Sequence, residues 1–309
     1  MASPLLRIGT RASPLARAQT EEFAARLAAH HAALAAPGAL EIVALRTSGD
    51  SVQDRTLAEV GGKGLFTKEL EEALLAGTID AAVHSLKDVP TCLPEGLVIA
   101  CHLPREDPRD AFISMKAPAP AMLPRGAVVG TASLRRQAQL LHARPDLRVV
   151  TLRGNVETRL RKLAEGVADA TLLAVAGLNR LKLAQRITSI LSPEEMLPAP
   201  AQGVIAIECR EGDRRLEDWL TPLDDRPSRE AATAERALLA ALDGSCRTPI
   251  AALAEIAGET ITLTGLVIRP DGSERHLARR QGRVGEGAPL GTALGEELRR
   301  RAGPGFMRS

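Results

Sequence analysis

The sequence predicts an α/β protein built as two similar halves, followed by a small α+β unit. Three observations lead there. Short apolar runs alternate with helical stretches from the N-terminus to about residue 210, the pattern of parallel sheets covered by helices. The chain has 309 residues, more than one hydrophobic core usually holds, so two or three domains are expected. After Pro227 the pattern changes to one Ala-rich helix followed by alternating runs.

Taken in order, the expected strands of the first half are Leu5 to Gly9, Leu40 to Leu45, Asp80 to Val83 and Leu97 to Ala100. Each is a short apolar run bounded by turn formers or charged residues. The second half repeats the style with Ala127 to Gly130, Leu147 to Thr151, Ala170 to Ala174 and Val204 to Glu208. Helices are expected between most of them. Ser13-Pro14 and Ser133 read as helix starts, the first with a hydroxyl cap and a proline in the first turn. Met115 to Arg125 carries three prolines and reads as an extended surface loop, a composition suited to a domain boundary. In the last part a helix ends near Leu242, alternating runs follow at Ile261 to Ile268 and Glu274 to Arg280, and a helix starts near Ala288.

Composition excludes several classes of function. Aromatic residues are 2% of the chain, with no Tyr, so stacking platforms for single-stranded nucleic acid are not expected. The 40 basic and 38 acidic side chains nearly cancel, so any anion site must come from local clustering. No stretch of about 18 consecutive apolar residues occurs, and the N-terminus lacks the pattern of a secretion signal. A soluble cytoplasmic protein with no membrane partner is the expectation. Cys92, Cys101, Cys209 and Cys246 are spaced unlike zinc ligands and read as free thiols; no metal site is expected.

Several segments could carry chemistry. Gly130-Thr131-Ala132-Ser133-Leu134-Arg135-Arg136 follows a strand and opens a helix, so backbone N–H groups, hydroxyls and two guanidiniums could meet one anion. A solvated helix face is the other reading. Leu152-Arg153-Gly154-Asn155 repeats the arrangement with Arg159 one turn later, and Arg11 stands in a comparable turn. His84-Ser85-Leu86-Lys87-Asp88-Val89-Pro90 sits at a strand end, where α/β proteins place their ligands, and the proline holds Val89 extended. Lys87 and Asp88 are site candidates, Asp88 as a catalytic carboxylate or else a cap or surface ion pair, and His84 reads as structural.

Gly61-Gly62-Lys63-Gly64 resembles a phosphate loop in outline, but the Walker pattern wants Gly where Leu57 stands and Ser or Thr where Gly64 stands. A cover bearing one cation and a plain surface turn are equally open. Gly244-Ser245-Cys246-Arg247 places a thiol in a tight turn beside a cation, which favours the thiolate; a buried structural Cys is the alternative.

Together these segments resemble the porphobilinogen deaminase family over nearly the whole chain. The resemblance is carried by Arg7 to Ala16, Gly61 to Phe66, His84 to Pro90, Arg105 to Phe112, Thr131 to Arg136, Leu152 to Asn155, Ala174 to Leu178 and Gly244 to Pro249, in that order. It implies two lobes like those of type II periplasmic binding proteins around a cleft, 1–104 with 203–222 and 105–202, and a C-terminal domain, 223–309. It also implies an enzyme of tetrapyrrole (haem) biosynthesis that condenses four porphobilinogens head to tail into hydroxymethylbilane and releases ammonia.

A dipyrromethane cofactor joined to Cys246 by a thioether would prime the chain. By position, Lys87, Asp88, Thr131, Ser133, Arg135 and Arg136 would hold that primer, and Arg11, Ser13, Lys63, Arg153 and Arg159 the substrate, with Asp88 catalytic. A primer extended by four units presents about a dozen carboxylates, each charge-assisted contact contributing about 1.5–3 kcal/mol, which gives the arginines a purpose. Glu59, where some relatives carry Lys, and Arg247, where Gln is common, depart from the pattern. A monomer is expected. Two other classes compete, a two-lobed small-molecule receptor and a polyanion-binding scaffold, and neither needs a thiol anchor.

Overall fold

The computed structural model describes residues 4–47, 66–244 and 248–306. Contacts divide the chain into two compact units. One comprises the described parts of Met1–Gln53, Gly62–Glu106 and Val204–Arg229, and the other those of Asp107–Gly203 and Glu230–Ser309.

In the first unit the strands β1 (Leu6–Arg11), β2 (Leu40–Leu45), β3 (Ala81–Ser85) and β4 (Leu97–His102) are joined by β10 (Ile205–Arg210) in the order β2-β1-β3-β10-β4. β1 runs parallel to β2 and β3, whereas β10 runs antiparallel to β3 and β4. Apolar runs form here because both faces of the sheet are covered. Leu6, Ile8, Ala81 and Val83 pack on one side with Phe23 and Leu27 of α1 (Pro14–His30) and Leu216 of α6 (Arg214–Leu220). Ala82 packs on the other with Leu70 and Leu74 of α2 (Lys68–Leu75). Gly9 permits that closeness, since a Cβ there would lie 2.3 Å from Ile79 Cδ1.

The second unit repeats the arrangement. Strands β5 (Asp110–Ser114), β6 (Val128–Gly130), β7 (Arg148–Val150), β8 (Ala170–Ala174) and β9 (Ser189–Ile190) lie in the order β7-β6-β8-β5-β9, with β6 parallel to β7 and β8, and β5 antiparallel to β8 and β9. Helices α3 (Leu134–Ala143), α4 (Val156–Ala164) and α5 (Val175–Arg180) follow β6, β7 and β8. Both sheets therefore read second, first, third, a reversed strand, fourth, which is the type II periplasmic-binding-protein lobe expected above.

The reversed strand β5 was not expected from the sequence. Its apolar run is only Ala111-Phe112-Ile113 behind a charged stretch, and pairing with β8 and β9 supplies what local pattern does not. The proline-rich segment lies between β5 and β6, inside this lobe and not at a boundary. Met115 and Met122 are exposed, while Ala117 and Leu123 anchor the loop in the core.

The same unit holds the C-terminal sheet of β11 (Ile250–Ala257), β12 (Thr260–Ile268) and β13 (Arg275–Arg283), all antiparallel. α7 (Arg226–Ala241) and α8 (Gly287–Ala302) contribute Leu238, Leu294 and Leu298 to a core with Ile261, Leu263 and Val267. β11 is not apparent from the sequence, because Ile250-Ala-Ala-Leu-Ala-Glu-Ile-Ala has little β-branched character. Ala251, Leu253, Leu266 and Ile268 meet Ala138 of α3 and Leu197, so this sheet packs on the second lobe. The chain from Asp224 to Ser228 is bonded into the first unit. Asp224 Oδ1 accepts from His102 N at 2.9 Å, and Arg105 N donates to Ser228 Oγ at 2.8 Å. Among the described residues, no helix is long and apolar enough to cross a membrane.

Candidate functional site

The first lobe gathers its candidates at the carboxyl ends of two neighbouring parallel strands. β1 ends at Arg11, whose guanidinium lies 4.3 Å from the centre of the Phe66 ring. Ser13 caps α1 as expected, its Oγ accepting from Ala16 N at 3.3 Å, which leaves its own O–H to donate elsewhere. β3 runs into a single 3₁₀ turn, Leu86–Asp88, pinned by Leu86 N donating to the Val204 carbonyl at 3.0 Å. Val89 is extended before Pro90, as the sequence required (φ −82°, ψ 128°). Lys87 and Asp88 are half-buried on this turn. On either side of β3, Ser85 is bonded to Gln19 of α1 at 2.8 Å and His84 Nε2 to Glu208 Oε2 at 2.9 Å.

The second lobe has the matching construction at the ends of β6 and β7. Thr131 N donates to the Val150 carbonyl at 2.9 Å, and Thr131 Oγ1 accepts from Ser133 N at 3.1 Å. Ser133 caps α3, accepting from Arg136 N at 3.4 Å. Asn155 caps α4, and Arg159 Nε donates to the Gly154 carbonyl at 2.8 Å. Arg153 is buried, and its carbonyl accepts from Lys162 Nζ at 3.2 Å.

Arg135 and Arg136 are buried at the start of α3. They do not form a solvated helix face; each is 5% exposed and turned onto Asp110, which is fully buried. Asp110 Oδ1 accepts from Arg136 Nε at 3.3 Å and Nη2 at 2.8 Å, while Asp110 Oδ2 stands 2.7 Å from Arg135 Nη1 as an ion pair. Arg136 Nη1 donates to the Leu172 carbonyl at 2.9 Å and Arg135 Nη1 to that of Leu197 at 2.7 Å. Burial by itself would raise the Asp110 carboxyl; the charges of Arg135 and Arg136 outweigh it and hold the group far below the usual carboxylate range. Two guanidiniums against one carboxylate leave the triad with one buried positive charge in excess. Such a charge is costly unless an anion neutralises it.

Sequence reasoning missed Asp110 and Gln202 as parts of this construction. Gln202 Nε2 donates to the Pro108 carbonyl at 2.6 Å and to Asp110 Oδ1 at 2.9 Å. Asp110 lay within a segment already singled out, Arg105 to Phe112, and a charged residue opening an apolar strand was the available signal. Gln202 carried none. Lys63 and Cys246 lie outside the described residues, and so does the loop Gly61 to Gly64. No group of side chains suited to a metal ion occurs among the described residues.

Fold and site thus define a protein of two α/β lobes whose parallel strand ends carry basic and hydroxyl side chains, with a third, C-terminal sheet. Two family models match it: "Porphobilinogen deaminase, dipyromethane cofactor binding domain" over residues 6–218, and "Porphobilinogen deaminase, C-terminal domain" over residues 230–300. A porphobilinogen deaminase of Paracoccus denitrificans is 56% identical over 98% of this chain and 96% of its own length. A chloroplastic porphobilinogen deaminase of Oryza sativa is 53% identical over 99% of this chain and 86% of its own. The chain belongs to the porphobilinogen deaminase family, an enzyme family whose dipyrromethane-binding domain it carries. Among solved structures, the methionine-binding protein MetQ aligns at TM-score 0.45 and 15% identity over 75% of this chain and 94% of its own. A periplasmic substrate-binding protein of Coxiella burnetii aligns at 0.44 and 18% over 75% and 96%. At those scores the likeness adds nothing to the strand order described above.

Proposed function

We propose that this chain is a hydroxymethylbilane synthase, a transferase that joins four porphobilinogens head to tail with release of ammonia, and that Asp88 and the strand-end cations are its working residues. Family membership across both the first 218 residues and the C-terminal domain supports the activity, since a two-lobed receptor has no need of the latter. The observation that carries the site is the buried excess charge at Arg135, Arg136 and Asp110. It fits a ligand whose pyrroles each bear an acetate and a propionate.

When bound through Cys246, the dipyrromethane supplies the pyrrole carbon on which the chain grows. Lys87, Arg135 and Arg136 hold its carboxylates by charge, and the Thr131 and Ser133 hydroxyls orient them. Arg136 donates through Nε, Nη1 and Nη2 to Asp110 and Leu172, which leaves two of its five N–H groups for an anion. Arg11, Ser13, Lys63, Arg153 and Arg159 take the carboxylates of the incoming porphobilinogen. Asp88, fixed on its turn, accepts pyrrole N–H groups, stabilises the positive charge that develops on the pyrrole nitrogens as ammonia leaves, and holds the proton released from the coupled carbon.

Domains are proposed at 1–104 with 203–222, 105–202 and 223–309, and the working unit is a cytoplasmic monomer. Intact-protein mass spectrometry of the recombinant chain beside Cys246→Ala tests the primer. The wild type should carry the mass of two linked pyrroles and the variant should not. A folded wild type that stays bare after incubation with porphobilinogen would overturn the covalent reading. Asp88→Asn should lower the rate of tetrapyrrole formation about 100-fold, with primer loading followed by mass.

A further inference from the structure

We propose that Glu71 and Glu208 share one buried proton, and that this shared proton and the His84–Glu208 hydrogen bond position the turn that carries Lys87 and Asp88. The functional half of the inference rests on the reading of Asp88 given above; the shared proton does not.

Side chains alternate across β3. Ala81 and Val83 face α1, and Ala82 faces α2. His84, two residues beyond Ala82, points to the α2 face. Glu208 of β10 stands opposite Ala82 in the antiparallel register and reaches His84 Nε2 at 2.9 Å. Glu71 comes from α2. All three are closed off from solvent, with relative exposures of 5% for His84, 0% for Glu208 and 8% for Glu71.

The two carboxyls are incomplete in a matching way. Glu208 Oε2 is bonded to His84, whereas Glu208 Oε1 has no hydrogen-bond partner among the described residues. Glu71 Oε1 has none either. Buried polar atoms are seldom left so. Two neighbouring carboxylates sealed in one core cannot both keep their charge. A proton on Glu71 Oε1 answers both difficulties, because it removes one charge and offers Glu208 Oε1 the donor it lacks. The Glu71 carboxyl is correspondingly raised, by burial first and with Glu208 and Glu69 adding to the effect, while the Thr67 hydroxyl and His84 oppose it. These are the ionisable and polar neighbours that bear on it from α2, β3 and β10.

The consequence for the reaction follows from the chain. His84 lies four residues before Asp88, and β3 enters the turn held on one face by Ser85 with Gln19 and on the other by His84 with Glu208. Releasing the second hold lets the turn tilt without removing any group that touches substrate. His84 and Glu208 are positioning residues in this reading.

Infrared spectra at neutral pH test the proton. Wild type should show the carbonyl band of a protonated buried carboxyl, shifted in heavy water and missing in Glu71→Gln. No such band, or one that survives Glu71→Gln, overturns the shared proton. Steady-state kinetics test the positioning. His84→Ala should lower kcat about tenfold with KM nearly unchanged, and His84→Gln, whose amide nitrogen can replace Nε2, should recover most of it. If His84→Ala is neutral, or kcat and KM fail together and His84→Gln rescues neither, the positioning role is refuted. If Asp88→Asn is itself neutral, the reading of Asp88 falls while the infrared result still decides the proton.

Discussion

Asp110→Asn removes the one negative charge that two buried guanidiniums share, and its cost can be worked from the geometry. The Asn carbonyl in place of Oδ1 can still accept from Arg136 and Gln202, but weakly, because the acceptor is no longer charged. The Asn amide in place of Oδ2 would face Arg135 Nη1, donor against donor, across the present 2.7 Å. Breaking a buried ion pair by removing one partner costs about 3–5 kcal/mol, and here two cations lose the same partner. At about 2–4 °C per kcal/mol for a large domain, the melting temperature should fall by roughly 6–20 °C. Calorimetry of wild type, Asp110→Asn and a control, Glu165→Gln, reads this directly. Glu165 pairs with Arg161 at 3.4 Å on the surface, where such a pair contributes about 0–1 kcal/mol. A loss at Asp110 no larger than that of the control would refute the claim that the Asp110 charge holds the two buried guanidiniums.

Four further outcomes are expected. Burial raises the Glu71 carboxyl, so the folded chain binds that proton more tightly than the unfolded chain; stability should fall as pH rises from about 4.3 through the folded value. Thermal melts across that window should show Glu71→Gln losing less than wild type. Cys101 and Cys209 are pushed up to about 12 by burial, while Cys92 is exposed; a thiol reagent at pH 8 applied to Cys246→Ala should label Cys92 alone until the chain is unfolded. Gly291→Ala would put a Cβ 2.1 Å from the Ala234 carbonyl oxygen and force α8 off α7; the strain, about 1–3 kcal/mol, should outweigh the gain in helix propensity and show as a lower denaturation midpoint. Ser133→Ala should cost about 1 kcal/mol through the lost cap on α3, measured by denaturant unfolding, and should slow primer loading in the mass assay.

Much of the architecture was legible because it is written locally. Alternating apolar runs placed eight strands of the two lobes, and Ser13 and Ser133 announced their helices because a cap and the N–H it accepts from lie three residues apart. Pro90 restricted Val89 by direct steric contact. The carboxyl ends of the strands, where the candidate residues stand, followed from these elements and their order. The family was legible too, through several short segments in sequence.

Only the tertiary structure decided what β5 and β11 are, since Asp110–Ser114 and Ile250–Ala257 become strands by pairing with partners elsewhere in the chain. It also decided what the arginines touch. Arg136 meets Asp110 across 26 residues, Gln202 meets Asp110 across 92, and His84 meets Glu208 across 124. Local periodicity states how a residue sits on its own helix or strand and which side of it is apolar. The charge that a buried group meets is set by whichever distant strand the sheet order brings beside it, and that information exists only once the chain has closed on itself.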